Sequence, residues 1–295
     1  MGDFYGLPTR AIRSKHLRVE FLSEAGPRVV GIYLTGSDEN QLAELPDLKM
    51  ETPYGDYFLR GGHRLWHAPE AIPRSYIPDN GGLVIEDRVD GICLCQPMEA
   101  GTNLGKSIEI SVQAEQPAVT LHHRIENKGL WPVELAPWAL TQLPLGGVAV
   151  LPQDVASADS DPCRPNRHLV LWPSAHWHDS RLHLDDDYVL IDAEPQLPPF
   201  KVGYFNNRGW VGYLRRDVFF RKRFGVQTHA TYPDWGCNVE YYCNDMFMEM
   251  ETLGPMCRLE PGQCVTHMEQ WEFLTGLALT HAEDEVRSLV RGLSV

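Results

Sequence analysis

The sequence predicts an all-β protein, built as a large antiparallel sandwich or a barrel. Short stretches of alternating apolar and polar residues recur about every ten residues, and Gly, Pro and Asn lie between them. This spacing is typical of antiparallel sandwiches and barrels. No break in composition divides the 295 residues. We therefore predict one domain over 1–295, with its core at about 16–275.

The predicted strands begin with a hairpin over 16–22 and 28–34, because both stretches alternate and the turn SEAGP separates them. A short helix is predicted over 40–48. Further strands are predicted near residues 83, 91, 106, 118, 132, 168, 188, 209, 217 and 237. Only 281–293 has helical spacing, with its apolar residues on one side. We predict a short C-terminal helix there, covering an edge or end of a sheet.

Charge and cysteine content limit the partners of this chain. Lys and Arg total 26 against 40 Asp and Glu, a formal charge of -14, which disfavours nucleic acid and anionic membranes as partners. No stretch approaches the roughly 20 apolar residues of a membrane span, and the first residues lack the apolar segment of a secretory signal.

Seven cysteines without a CxxC motif indicate free thiols. We predict a cytoplasmic protein and leave its oligomeric state open.

The stretch from 247 to 274 contains the most informative acidic residues. It is predicted to form consecutive antiparallel strands, and Phe247, Glu249 and Glu251 share one face of the first because side chains on a strand repeat every two residues. One interpretation is a solvated face. The other is a concave sheet that directs carboxylates toward a ligand, where one of them acts as general base.

The segment 58–79 is rich in Gly and Pro and is predicted to be a loop. Gly61 and Gly62 allow backbone geometries that other residues resist, which would let the loop bring His63 and Arg64 over a sheet face. Trp66 adds an aromatic surface. The alternative interpretation is a surface loop with one buried tryptophan.

Four further polar residues are candidates for ligand contacts. Thr141 and Gln142 end an apolar strand, where they either satisfy nearby backbone groups or face a ligand. Lys201 lies in an apolar strand, and Asp234 precedes a turn in which Asp commonly caps its own backbone.

A metal site is considered at 176–187, HWHDSRLHLDDD, because His-x-His on a strand places two imidazoles on one face. The run is polar and lies between two predicted strands. We therefore expect Asp179 and Arg181 to pair in a turn, and we predict no metal and no cofactor.

Several motifs, in this order, resemble the galactose mutarotase-like superfamily and, within it, a group of bacterial proteins defined by domain of unknown function 4380. The motifs are GGHRLWxAPE (61–70), YxPDN (76–80), WALTQxxxGG (138–147), FKxG (200–203), YPDxGCNVE (232–240) and ExETLGP…LxPG…ExW (249–271). The resemblance implies a supersandwich of two large antiparallel sheets with a sugar site on the concave face of one.

The resemblance also implies a chemistry. Aldose mutarotases open the sugar ring when a glutamate removes the anomeric hydroxyl proton and a histidine protonates the ring oxygen. Glu251, or Glu249 two residues earlier, matches the base by position. Where the family has its histidine, this chain has Thr141 and Gln142. His63 is the candidate acid by residue type, since an ordinary histidine pKa of about 6.5 suits proton transfer near neutrality.

The leading hypothesis is therefore a sugar epimerase acting on an aldose or sugar derivative through Glu251, Glu249 and His63. The predicted sugar contacts are Arg64, Trp66, Thr141, Gln142, Lys201, Asp234 and Glu240. A non-catalytic carbohydrate-binding protein is the second hypothesis. Glycoside hydrolysis ranks third, because acids on one strand approach a sugar from one side, whereas hydrolysis needs them on opposite sides. Convergence of Lys201 and Arg64 would favour an anionic sugar.

Overall fold

Strands make up almost all of the regular structure in this computed structural model, which describes residues 2–154 and 165–277 together with 288, 289 and 292. The first twelve strands are β1 (Gly2–Phe4), β2 (Leu7–Arg13), β3 (Leu17–Leu22), β4 (Val29–Leu34), β5 (Glu44–Thr52), β6 (Gly55–Gly61), β7 (His63–Ala68), β8 (Val84–Arg88), β9 (Gly91–Cys95), β10 (Leu104–Val112), β11 (Ala118–Asn127) and β12 (Val133–Leu143). The other eleven are β13 (Val148–Pro152), β14 (Val170–Leu171), β15 (Leu182–Leu184), β16 (Tyr188–Asp192), β17 (Phe200–Tyr204), β18 (Trp210–Arg215), β19 (Val218–Phe224), β20 (Val239–Cys243), β21 (Met248–Leu253), β22 (Cys257–Leu259) and β23 (Cys264–Thr275). A 3-10 turn (Arg74–Tyr76) and one helical turn, α1 (Pro233–Gly236), complete the list.

These strands form two large sheets and one hairpin, and the paired strands are antiparallel. The first sheet has the order β1-β2-β3-β4-β7-β12-β21-β20-β17-β14, and β22 pairs with β12. The second sheet has the order β15-β16-β13-β18-β19-β23-β11-β10-β9-β8, while β5 and β6 pair only with each other. The predicted all-β antiparallel sandwich is confirmed.

The hydrophobic core lies between the two sheets. Apolar residues that alternate along strands of the first sheet, such as Val19 and Ile32, belong to the same buried cluster as Ile108 and Leu121 of the second. All four side chains are fully buried, so their removal from water stabilises the pairing of the two layers.

Most predicted strands are present. Of the two predicted helices, one is wrong and the other lies largely outside the described residues. The opening hairpin is confirmed, since β3 pairs with β4 and Leu17 lies opposite Leu34. The helix predicted over 40–48 is wrong: β5 begins at Glu44, and Pro46 lacks the amide hydrogen that a helix interior requires. The helix predicted over 281–293 falls outside the described residues, apart from 288, 289 and 292. In the part of the chain that the structure describes, no helix is long and apolar enough to span a membrane.

The segment 58–79 is not a loop throughout, because it contains the end of β6 and the whole of β7. Gly61 and Gly62 connect the two strands and have φ angles of 82° and 68°, a conformation that favours glycine. A Cβ atom at either position would lie 2.0 Å from a carbonyl oxygen, that of Ala43 or that of Val29. The two glycines therefore let the chain pass directly from the hairpin into the first sheet.

Candidate functional site

The candidate site is a cavity of about 390 Å³ on the face of the first sheet that points away from the second, which is within the size range of small-molecule sites. Its floor comes from β7, β12, β17, β20 and β21. The hairpin of β5 and β6 supplies Leu48, Met50 and Leu59 as a further wall. The aromatic and charged residues that line it are Trp66, Tyr76, Trp138, Trp172, Tyr242, Phe247, Lys49, Arg64, Glu70, Lys201 and Glu249.

Strand alternation decides which residues reach this cavity. On β12 and β21, Leu140 lies opposite Glu251 and Gln142 lies opposite Glu249. Because neighbouring residues of a strand point to opposite faces, these four side chains belong to the cavity face. The residues between them, such as Thr141, point into the space between the sheets.

Arg64 and Glu249 form an ion pair at the floor of the cavity. Arg64 Nη2 donates to Glu249 Oε1 at 2.9 Å, and the guanidinium carbon lies 4.5 Å from the centre of the Trp66 ring. Burial raises the pKa of the Glu249 carboxyl, Arg64 opposes this, and Glu251 adds to it. Glu249 therefore exchanges its proton closer to neutrality than an ordinary glutamate does.

Lys201 lies between two buried carboxylates on the same face. Its Nζ is 2.7 Å from Glu240 Oε2 and donates to Glu251 Oε2 at 3.2 Å. Trp138 Nε1 donates to the same oxygen of Glu251 at 2.7 Å. Burial by itself lowers the pKa of Lys201, but Glu240 and Glu251 outweigh it and raise the pKa. Lys201 thus stays protonated and holds the two carboxylates in place.

Several buried polar atoms on this face have no hydrogen-bond partner within the described part of the protein. They are Arg64 Nε and Nη1, Gln142 Nε2 and Oε1, Glu240 Oε1 and Glu251 Oε1. A buried polar atom without a partner is costly, so this face of the sheet has hydrogen-bonding capacity that its own residues leave unused. Donors and acceptors are both present, which suits a ligand with hydroxyl groups, since a hydroxyl can both donate and accept.

The structure brings most of the predicted site residues to one face of the first sheet. Arg64, Trp66, Lys201 and Glu249 line the cavity. Gln142, Glu240 and Glu251 lie on the same face but are fully buried. Of the two carboxyl groups on β21, that of Glu249 therefore lines the cavity and that of Glu251 does not.

Three predicted residues are not brought to the cavity. His63 and Thr141 point to the opposite face of their strands, where His63 Nδ1 hydrogen-bonds Thr141 Oγ1 at 2.9 Å. Asp234 lies in the turn Pro233–Gly236 with a φ of 49° and does not line the cavity. It is nevertheless near enough to Glu240 to raise the pKa of that carboxyl, although burial is the larger cause.

Tyr242 and Trp172 are among the cavity residues that were not predicted from the sequence. Tyr242 follows Glu240 by two residues on a predicted strand, so alternation alone places both on one face. Trp172 comes directly after the two-residue strand β14, which is too short to show a pattern. The predicted pair of Asp179 and Arg181 is confirmed, with Arg181 Nη2 2.8 Å from Asp179 Oδ2.

His63 belongs instead to a buried polar cluster between the two sheets, which we call the interior cluster. Its members are His63, Thr141 and Thr252 from the first sheet and His123, Lys222, His267, Glu269 and Trp271 from the second. Lys222 Nζ and Glu269 Oε1 form its one ion pair among the described residues, at 3.1 Å. Both side chains are inaccessible to solvent.

One arrangement of protons with neutral histidines satisfies the hydrogen bonds that link His123, His63, Thr141 and Lys222. His123 Nδ1 donates to the carbonyl oxygen of His267 at 2.9 Å, so His123 Nε2 accepts from His63 Nε2 at 2.7 Å. His63 Nδ1 then accepts from Thr141, whose oxygen accepts from Lys222 Nζ at 2.6 Å. These tautomers follow from the hydrogen-bond partners, and they make both histidines neutral.

A second set of hydrogen bonds in the interior cluster surrounds Glu269. Thr252 donates to Glu269 Oε1 at 2.5 Å and accepts from His267 Nε2 at 2.7 Å. Trp271 Nε1 donates to Glu269 Oε2 at 2.8 Å. Each carboxylate oxygen therefore has a donor, which a buried charge requires.

His63, His123 and Glu269 place ligand atoms within 4.8 Å of one another, a spacing that could hold a metal ion. However, the Lys222 ammonium already lies 3.1 Å from this carboxylate, and a second cation beside it would be repelled. Burial lowers the pKa of His63 and of His123, although Glu269 acts in the opposite direction. We therefore interpret the interior cluster as one ion pair surrounded by neutral histidines.

The role of His63 can be tested directly. We expect His63→Phe to lower the free energy of unfolding by about 1–3 kcal/mol, because Thr141 and His123 lose a buried partner. The affinity of the folded protein for a sugar should stay within about twofold, because the ring does not line the cavity. Urea unfolding and calorimetry measure the two effects. Lost turnover with unchanged stability would instead make His63 the proton donor.

Comparison with known proteins gives the fold. No protein-family model matches the chain, and no curated protein matches it by sequence. Among solved structures, a putative aldose 1-epimerase from Escherichia coli K12 matches with a TM-score of 0.57 and 10% identity, over 92% of this chain and 100% of that one. A galactose mutarotase-like protein from Lactobacillus casei matches with a TM-score of 0.57 and 7% identity, over 90% and 100%.

A TPR-domain containing protein from Parabacteroides distasonis has a TM-score of 0.62 and 13% identity, over 93% of this chain but only 48% of that one. This chain thus spans about half the length of that neighbour. Identities of 7–13% establish architecture alone. Together with the two antiparallel sheets, these matches show that the chain has the galactose mutarotase-like β-sandwich fold.

Proposed function

We propose that the cavity binds a sugar or sugar derivative and that the protein interconverts its anomers by proton transfer through Glu249, while Glu251 and Lys201 support the floor of the cavity beside it. The observation that carries this proposal is the position of Glu249. Its carboxyl lines the cavity, is paired with Arg64 and has a pKa raised by burial, which are the properties of a general base that works near neutrality. We also propose membership of the group defined by domain of unknown function 4380.

The position of Glu249 and Glu251 on one side of the sheet suits ring opening better than glycoside cleavage. Glu249 and Glu251 lie two residues apart on β21 and point to the same side of the sheet. The anomeric hydroxyl oxygen and the ring oxygen of an aldose are both bonded to the anomeric carbon. Glu249, the one of the two that lines the cavity, can therefore accept the hydroxyl proton and return the same proton to the ring oxygen, so that no second proton donor is needed.

The charges of the site favour an uncharged sugar. Arg64 and Lys201 both line the cavity, but Arg64 pairs with Glu249 and Lys201 pairs with Glu240 and Glu251. Their charges are already compensated, so an added carboxylate or phosphate would meet an excess of negative charge. Arg64 lines the cavity and has two N–H groups without a partner among the described residues, which suits the hydroxyl groups of a neutral sugar.

The proposal is tested by following optical rotation after either pure anomer of glucose or galactose is mixed with the purified protein. We expect equilibrium to be reached faster than in buffer, in proportion to protein concentration. A panel that includes amino sugars, uronates and deoxy sugars identifies the preferred class. Unchanged rates across the whole panel would rule out the catalytic proposal.

A second candidate is sugar binding without turnover. Its support is the number of aromatic side chains around the cavity, together with the lack of a histidine among the described residues that line it. Aromatic faces stack on sugars in many binding proteins. Calorimetry distinguishes the two functions, because binding without acceleration of mutarotation leaves only this one.

A further inference from the structure

Two cysteine thiols lie side by side on the outer face of the second sheet, whereas the cavity lies on the first sheet. Cys93 and Cys95 are two residues apart on β9, and their sulfur atoms are 3.6 Å apart. Ile92 and Leu94, the residues that alternate with them, belong to the core. The two thiols consequently share the face that points away from the core.

This pair is reachable from solvent. Cys93 is 6% exposed, Cys95 is half-buried, and both are free thiols. The neighbours of Cys93 across the sheet are Glu86 on β8 and Glu109 on β10. A small ion can thus approach the pair past Cys95 without any rearrangement of the core.

The backbone favours a bridging ion over a direct sulfur-sulfur bond. Two residues of an extended strand span roughly 6.6 Å between their Cα atoms, which is at the upper end of the separation of about 4.4–6.8 Å that a disulfide allows. A disulfide here would strain the strand. An ion between the sulfurs needs only small side-chain rotations, because it keeps the sulfurs apart.

Two thiol groups favour a soft metal ion over a hard one. Thiolate sulfur is a soft ligand that binds Cu(I) in preference to hard cations. Burial and the adjacent Cys95 raise the pKa of the Cys93 thiol to about 12, whereas the Arg88 guanidinium acts to lower it. Cu(I) forms bonds to sulfur strong enough to displace thiol protons.

We propose that Cys93 and Cys95 form a binding site for one Cu(I) ion. Binding forms two Cu–S bonds and breaks two S–H bonds, and both protons are released to solvent. Copper remains in the +1 state, so no oxidant or reductant is consumed. The resulting two-thiolate complex carries one negative charge and lies beside Arg88 and the two carboxylates that pair with it, Glu86 and Glu109.

The test is a competition titration of Cu(I) under anaerobic conditions between the reduced protein and a coloured Cu(I) chelator. We expect the wild-type protein to retain one equivalent of Cu(I) at a chelator concentration that strips Cys93→Ser/Cys95→Ser completely. Cys264→Ser is the matched control, because Cys264 is exposed and stands apart from this pair; it should retain the ion as the wild type does.

Stability is measured on every variant, because serine at the buried position 93 also perturbs the sheet. Cys95→Ser replaces the more accessible thiol and is expected to fold normally while losing the retained equivalent. Equal retention of Cu(I) by the wild type and the folded double variant would overturn the proposal. So would loss of the ion from Cys264→Ser with retention by Cys95→Ser.

Discussion

Glu249→Gln is expected to lower the rate of sugar interconversion by about 10²–10⁴-fold, the usual contribution of a general acid or base. Glutamine keeps the shape of glutamate and an oxygen that can accept from Arg64 Nη2, which now lies 2.9 Å from the carboxylate. The fold and the cavity should therefore persist while the proton acceptor is lost. Optical rotation, with binding measured by calorimetry, separates the loss of turnover from any loss of affinity.

The control for this variant is Glu126→Gln, which removes the same charge from a partly exposed ion pair with Arg124 on the second sheet. Its rate should match that of the wild type. If Glu249→Gln retains the wild-type rate and Glu251→Gln abolishes it, the base is Glu251, as the sequence resemblance implied.

The wild-type rate should also depend on pH in a defined direction. Glu249 accepts a proton only when it is ionised, and burial raises its pKa above the ordinary 4.5. The rate should therefore rise with pH through a midpoint above 4.5. This acidic limb should disappear in Glu249→Gln.

Lys222→Met is expected to lower the free energy of unfolding by about 3–5 kcal/mol, because it leaves Glu269 as an uncompensated buried charge. Lys222 Nζ also donates to Thr141 and to the carbonyl oxygen of Met250, so two more buried acceptors lose their donor. Urea unfolding monitored by tryptophan fluorescence gives the value. Lys15→Met, which breaks an exposed pair with Glu115, should cost no more than about 1 kcal/mol.

Because the histidines of the interior cluster are neutral, we expect the folded protein to lose stability in acid. Burial lowers the pKa of His267 to about 4 and also lowers those of His63 and His123. The unfolded chain, with ordinary histidines near 6.5, then binds more protons than the folded protein between these values. Stability should fall as pH decreases from about 6.5 toward about 4. A stability that is flat over this interval would contradict the neutral state of these histidines.

Features of the fold that depend on local alternation could be predicted from the sequence. The spacing of strands was enough for an all-β antiparallel fold, and the two-residue period placed Glu249 and Glu251 on one face, as the pairing of β21 with β12 confirms. The same rule would have separated His63 from Arg64. Gly61 and Gly62 are more typical of a loop than of a strand, however, and they hide the fact that β7 begins directly after them.

The interior cluster could not be predicted from local patterns. His63 meets His123 across the two sheets, 60 residues apart in sequence, at 2.7 Å. Lys222 and Glu269 lie on neighbouring strands of the second sheet. Alternation places each of them on the face of its strand that carries core aromatic residues, but no local pattern shows that the two pair with each other. The order of strands in the sheets, which brings these residues together, depends on long-range pairing that a single sequence does not display.

The junction at Gly61 and Gly62 has a consequence for attempts to change ligand size. The place of a Cβ atom at each position is taken by a carbonyl oxygen only 2.0 Å away, so even one added methyl group would push the β5–β6 hairpin off the sheet. Redesign of the pocket should leave this junction intact and vary Met50 and Leu59, which form the wall of the cavity on that hairpin. Shortening these two side chains would enlarge the cavity without disturbing the ion pair of Arg64 and Glu249 at its floor.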